Sequence, residues 1–96
     1  MNNTIKEIKE KVAPILQSYG VNRASVFGSI ARGEQTPASD IDMAVEIKAD
    51  LGLFQFVQLK HQLEEALNKK VDLVEYSVIK PMLKDKILKE QIVIYG

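Results

Sequence analysis

Three aspartates carry the first chemical signal in this chain: Asp40 and Asp42, two residues apart, and Asp72 at the start of an apolar segment. Side chains two apart on a strand project from the same face, here roughly 6.5 Å from one another along the chain. Two carboxylates that close repel, and one takes up a proton unless a positive charge lies between them. A divalent cation supplies that charge. If the strand that Asp72 opens (Val-Asp-Leu-Val) lies alongside, three carboxylates surround one point. That arrangement holds two metal ions for in-line phosphoryl displacement. A lone Asp-x-Asp is more often a pair of solvated strand-end carboxylates. The third aspartate, set among apolar residues, shifts the balance toward a metal site.

A second signal lies one strand earlier. Gly28-Ser29 follows the β-prone run Val21 to Phe27, where the sequence predicts a strand turning into a short helical segment, Ile30 to Gly33. Glycine lets backbone approach a ligand closely, and N–H groups that open a helix point at anions. Ser29 adds a hydroxyl donor, and Arg32 brings a forked donor suited to phosphate. The Gly-Lys-Ser/Thr ending of a P-loop is absent. Gly-Ser turns are common and mostly structural, so the weight comes from position: a phosphate cradle directly ahead of a metal-holding pair is what a metal–triphosphate complex requires.

Composition narrows the metal. The 96 residues include no cysteine and a single histidine, which excludes thiolate sites, disulfides and a histidine-built zinc centre. Oxygen ligands point to magnesium, manganese or calcium. Thirteen basic and thirteen acidic residues cancel, arguing against general nucleic-acid binding, which needs a basic face. Met1-Asn2-Asn3-Thr4 lacks a signal peptide's basic start, and no apolar run approaches the roughly 20 residues that span a bilayer. A cytoplasmic protein without membrane contact is expected.

The elements that position these residues form one domain, 1–96. Thr4 and Glu7 have capping-box spacing, and Ile5, Ile8, Val12, Ile15 and Tyr19 form a helical stripe ending at Gly20. Pro14 predicts a kink or a second short helix. Glu34 to Ser39 reads as a loop. Asp40 to Ile47 alternates: Ile41, Met43, Val45 and Ile47 face the core, Asp40, Asp42, Ala44 and Glu46 face away. Leu53, Phe56, Leu59, Leu63, Ala66 and Leu67 predict a helix, Val71 to Tyr76 a strand, Pro81 onward a last helix, and Ile92 to Tyr95 an edge strand. The expected fold is α/β (α+β), a small mixed sheet with helices packed on it. A core this small favours an open cleft over an enclosed pocket.

Val26-Phe27-Gly28-Ser29-Ile30-Ala31-Arg32-Gly33-Glu34, followed by Ser39-Asp40-Ile41-Asp42, resembles the signature of the DNA polymerase β-like nucleotidyltransferase superfamily. The short spacing looks most like the minimal nucleotidyltransferases, the MNT proteins found beside HEPN partners in toxin–antitoxin pairs. The likeness runs from the first helix to about Tyr76. It implies that Gly28 and Ser29, with Arg32 nearby, hold the triphosphate of ATP or another NTP. Asp40 and Asp42 would bind two Mg2+ ions (Mn2+ being an alternative), and Asp72 would bind the catalytic one and help deprotonate the attacking hydroxyl.

Larger relatives carry a helical acceptor domain that these residues do not include, so the resemblance implies a HEPN-type helical partner that completes the cleft. The expected activity is transfer of AMP to a hydroxyl, a tyrosine of that partner, with the chain as antitoxin. Two alternatives stay open: a nucleotide-binding antitoxin without turnover, and a small-molecule nucleotidyltransferase completed by a helical partner or by homo-oligomerisation. His61, Glu46, Glu64-Glu65 and Lys69-Lys70 read as surface residues, and Phe54 and Phe56 as core.

Overall fold

The computed structural model describes residues 4–33, 40–47 and 51–96. Helix α1 (Thr4–Ser18) leads into β1 (Val21–Phe27); β2 (Ile41–Ile47), α2 (Leu53–Leu67) and β3 (Val71–Glu75) follow. A 3-10 turn (Tyr76–Val78), α3 (Pro81–Glu90) and β4 (Ile92–Tyr95) complete the chain. The sheet order is β3-β2-β1-β4, with β1 antiparallel to both β2 and β4 and β2 parallel to β3. Parallel neighbours need a crossover, and the 15 residues of α2 supply it. The mixed sheet and three helices match the expected class.

One face of the sheet is the core. Ile8, Val12 and Leu16 of α1 recur every fourth residue and meet Leu59 and Leu63 of α2 over Ala24, Val26, Met43, Val45, Val71 and Leu73. Ile41, Met43 and Val45 are buried and Glu46 is exposed, as the alternation of β2 requires. On the other face, the 3-10 turn lays Tyr76 over the lower part of the sheet. Its hydroxyl lies 2.7 Å from Ser25 Oγ, a fully buried atom, and also against Gln91 Oε1. A phenol has one proton and an amide oxygen only accepts, so Tyr76 donates to Gln91 and the Ser25 hydroxyl donates to Tyr76. Arg23 stacks over the same ring, 5.6 Å from its centroid.

Several details differ from expectation. α1 runs through Pro14 as one helix, so no second helix begins there. Pro14 is solvent-exposed while the Ile8–Val12–Leu16 stripe on either side of it stays buried, so packing holds the helix across the lost hydrogen bond. Ile30 to Gly33 forms a single turn rather than a longer helix, with Arg32 N–H donating to the Gly28 carbonyl at 3.1 Å and Gly33 N–H to the Ile30 carbonyl at 3.3 Å. β3 ends at Glu75, because Tyr76 opens the 3-10 turn. Phe54 is 75% exposed and Leu53 is 80% exposed, outside the core, whereas Phe56 packs against it. The Thr4 side chain and the Glu34–Ser39 loop lie outside the described residues. No helix among the described residues is long and apolar enough to cross a membrane.

Candidate active site

The register of the sheet places the aspartates. Asp42 pairs with Phe27 of β1 on one side and with Asp72 of β3 on the other, so Asp42 and Asp72 stand directly opposite on adjacent strands. Cross-strand partners share a face, here the face away from the helices. Asp40 immediately precedes β2, whose first amide, Ile41 N–H, donates to the Lys70 carbonyl at 2.9 Å. That bond ties the start of β2 to the start of β3. Asp40 and Asp72 are exposed and Asp42 is half-buried.

Electrostatics follow from this placement. Burial raises the pKa of Asp42 above its ordinary value, the nearby charges of Asp72 and Asp40 raise it further, and Arg32 opposes them. Among the described residues, no three potential ligands converge on one point. Three carboxylates on one rim have no reason to draw together without a cation between them. An all-oxygen donor set whose central member is strained by two like charges fits a hard divalent ion.

The glycine turn is locked to the same carboxylate. Gly28 has φ +74°, a left-handed conformation that side chains disfavour. A Cβ at this position would also be driven into Asp42 Oδ2, far inside van der Waals contact. Only a residue without a side chain leaves room for the Asp42 carboxylate here. Buried Ile30 pins the turn to the core, and Ser29 stays half-buried beside the rim. Of the residues expected to act together, Asp40, Asp42, Asp72, Gly28 and Ser29 are gathered at one end of the sheet.

Arg32 is placed differently. Its charge acts on Asp42, but its Nη1 makes a 2.6 Å ion pair with Glu90 at the end of α3. The sequence offered no signal for Glu90, since the pairing joins residues 58 apart through a helix read only for packing. Beside Asp40 and Asp72, an open groove of about 320 Å³ at the start of β3 is lined by Asp40, Lys60, Glu64, Lys70, Val71 and Asp72. Lys70 precedes Asp72 by two positions, a proximity that could have flagged it.

Known proteins resemble this chain in sequence and fold. Residues 10–96 match the sequence model of the family described as Polymerase beta, Nucleotidyltransferase. A candidate protein adenylyltransferase of Methanocaldococcus jannaschii is 52% identical over 88 residues, covering 92% of this chain and 95% of the relative. Protein adenylyltransferase MntA of Thermococcus cleftensis is 35% identical over 85 residues, covering 88% of this chain and 79% of its own. A crystal structure of a toxin–antitoxin with AMP-PNP superposes with a TM-score of 0.80 at 27% identity, over 92% of this chain and 73% of that one.

Proposed function

The chain belongs to the polymerase beta nucleotidyltransferase family, and from that premise we propose that it moves AMP from ATP to a tyrosine hydroxyl of a HEPN-type partner protein, acting as that partner's antitoxin. The observation that carries the reading is the pairing of Asp42 with Asp72 across β2 and β3, with Gly28 closed against Asp42 on the other side. Acceptor and phosphate donor then meet at Asp42 from opposite directions. The name of the Thermococcus cleftensis relative and the AMP-PNP-bound toxin–antitoxin structure support the nucleotide and the class of acceptor.

Nucleotidyltransferases of this family work with divalent metal ions. Here Asp40, Asp42 and Asp72 would hold two magnesium ions, which neutralise charge on the attacking and leaving oxygens. Gly28 and Ser29 would bind the triphosphate through backbone amides and a hydroxyl. Arg32 would add a forked contact after exchanging its bond to Glu90 for one to phosphate. Asp72 would accept the proton of the tyrosine hydroxyl. The hydroxyl oxygen bonds to the α-phosphorus, the bond to the bridging oxygen breaks, and pyrophosphate leaves.

Incubation of the pair with magnesium and ATP tests this by intact-protein mass spectrometry. The partner should gain the mass of AMP, and Asp40→Asn/Asp42→Asn should leave it unmodified. An unmodified partner with the wild-type chain, together with full neutralisation by the double variant, would replace transfer by nucleotide-dependent binding.

A further inference from the structure

The Arg32–Glu90 pair joins the rim to the helix that the core does not hold. α3 contains no buried residue. Lys84, Ile87 and Glu90, three apart and so on one face, are its half-buried positions, while Met82, Leu83 and Leu88 are exposed. Its C-terminal end is fixed instead by two consecutive side chains. Gln91 accepts the Tyr76 hydroxyl, and Glu90 accepts from Arg32 Nη1 at 2.6 Å.

Glu90 is an unfavourable residue for its place. The last turn of a helix carries a partial negative charge that favours cations, a rule Lys89 fits and Glu90 breaks. A carboxylate at this end needs a counter-charge, and Arg32 supplies it from 58 residues away. Arg32 in turn belongs to the glycine turn: its N–H donates to the Gly28 carbonyl at 3.1 Å, and its charge acts on Asp42. The guanidinium that this turn would offer to a phosphate is therefore already engaged by an anion of the chain itself. That engagement is replaceable. One oxygen meets one nitrogen, with the two side chains 44% and 23% exposed, so water screens the pair. A triphosphate carries several charges and can take both arms of the fork.

We infer that Glu90 is a positioning residue for Arg32: it holds the guanidinium beside the rim in the free chain, and a bound triphosphate displaces it and releases the end of α3. The inference rests on the nucleotide half of the transferase reading and is independent of the acceptor. Glu90 then competes with phosphate, so the chain binds nucleotide less tightly than it would without that carboxylate. α3, which has no buried anchor, is held more loosely when nucleotide is bound.

Calorimetric titration of the full chain with magnesium and AMP-PNP tests the exchange in the wild type, Glu90→Gln, Arg32→Gln and the double variant. Glu90→Gln should bind AMP-PNP roughly two- to fivefold more tightly, as expected when an exposed ion pair no longer has to be broken. Arg32→Gln should bind more weakly, and adding Glu90→Gln to it should gain nothing. Hydrogen exchange reads the other end of the device. Amides 87–91 should exchange faster in the wild type with AMP-PNP bound than without it, and equally in both states of Glu90→Gln. Unchanged or weaker binding by Glu90→Gln would overturn the inference, weaker binding because Glu90 would then be holding Arg32 toward the phosphate. A gain that persists without Arg32 would overturn it too, since Glu90 would be repelling the nucleotide directly, as would slower exchange at 87–91 on binding. Results as described in a chain that never modifies its partner would remove the transferase reading and leave a nucleotide site gated by Glu90.

Discussion

The two faces of the same four strands obey different rules. Toward the helices, every inward position of β2 is apolar, with Ile41, Met43 and Val45 buried and Ile47 partly so, and nothing there is charged. Away from them, the same strand presents Asp42, Ala44 and Glu46. Ala44 and its partner Ser25 are sealed, Ser25 bonded to the Tyr76 hydroxyl, while Asp42 is left at an open rim beside two further aspartates. One face stabilises the chain by removing apolar surface from water. The other holds groups whose mutual repulsion opposes stability, and the core face offsets that cost. A period of two along one strand is enough to separate the tasks.

If the faces are separable, damage to one should leave the other working. The largest effect is expected in the core. Leu63 is fully buried, and Leu63→Ala should cost about 2–5 kcal/mol in urea denaturation. AMP-PNP affinity, measured where the variant is still folded, should be unchanged. A parallel loss of affinity would show that the faces are coupled. On the open face, Ser29→Ala should weaken AMP-PNP binding by about 1.5–3 kcal/mol, the worth of a hydrogen bond to a charged group. Gly28→Val should do more, because it combines the positive φ with a clash against Asp42. Calorimetric titration that finds both variants unaltered would reduce Gly28-Ser29 to a structural turn.

Tyr76→Phe probes the sealed part of the open face. It strands the buried Ser25 hydroxyl and the Gln91 amide, at about 1–3 kcal/mol of stability, with little change in nucleotide binding. Thermal melting measures the first and titration the second.

The smallest effect concerns Asp42 itself without metal. Its pKa is raised, first by burial and then by Asp72 and Asp40, so the folded chain holds that proton more readily than the unfolded one. The stability this contributes is present at low pH and is lost as pH rises from the ordinary aspartate value through the raised one. Asp42→Asn carries no such charge. Its melting temperature should lie slightly above that of the wild type at neutral pH, and the gap should close in acid. A variant less stable than the wild type at neutral pH would mean that the ionised carboxylate stabilises the free protein.

Local pattern made the site legible and long-range pairing hid its surroundings. The alternation of Asp40 to Ile47 and the apolar setting of Asp72 depend on neighbours in sequence, and both fell where expected. The parallel register that sets Asp42 against Asp72 follows once α2 is read as a crossover. Pro14 opens no second helix because packing of Ile8, Val12 and Leu16 outweighs one lost backbone bond. Phe54 misled because residue type alone does not say which side of a helix meets the sheet. The Tyr76–Ser25 bond spans 51 residues and the Arg32–Glu90 pair 58, and neither has a local signature.

The most direct test of the separation is thermal melting of the wild type and Asp42→Asn, with and without magnesium and AMP-PNP. A ligand that binds only the folded state adds about 2.7 kcal/mol at a hundred times its dissociation constant, which a chain this size registers as a rise of roughly 10 °C or more. The wild type should show that rise; Asp42→Asn should melt as a folded protein and show little of it. An equal rise in both proteins would contradict the account, because the carboxylate rim would then not be where the metal–nucleotide is held.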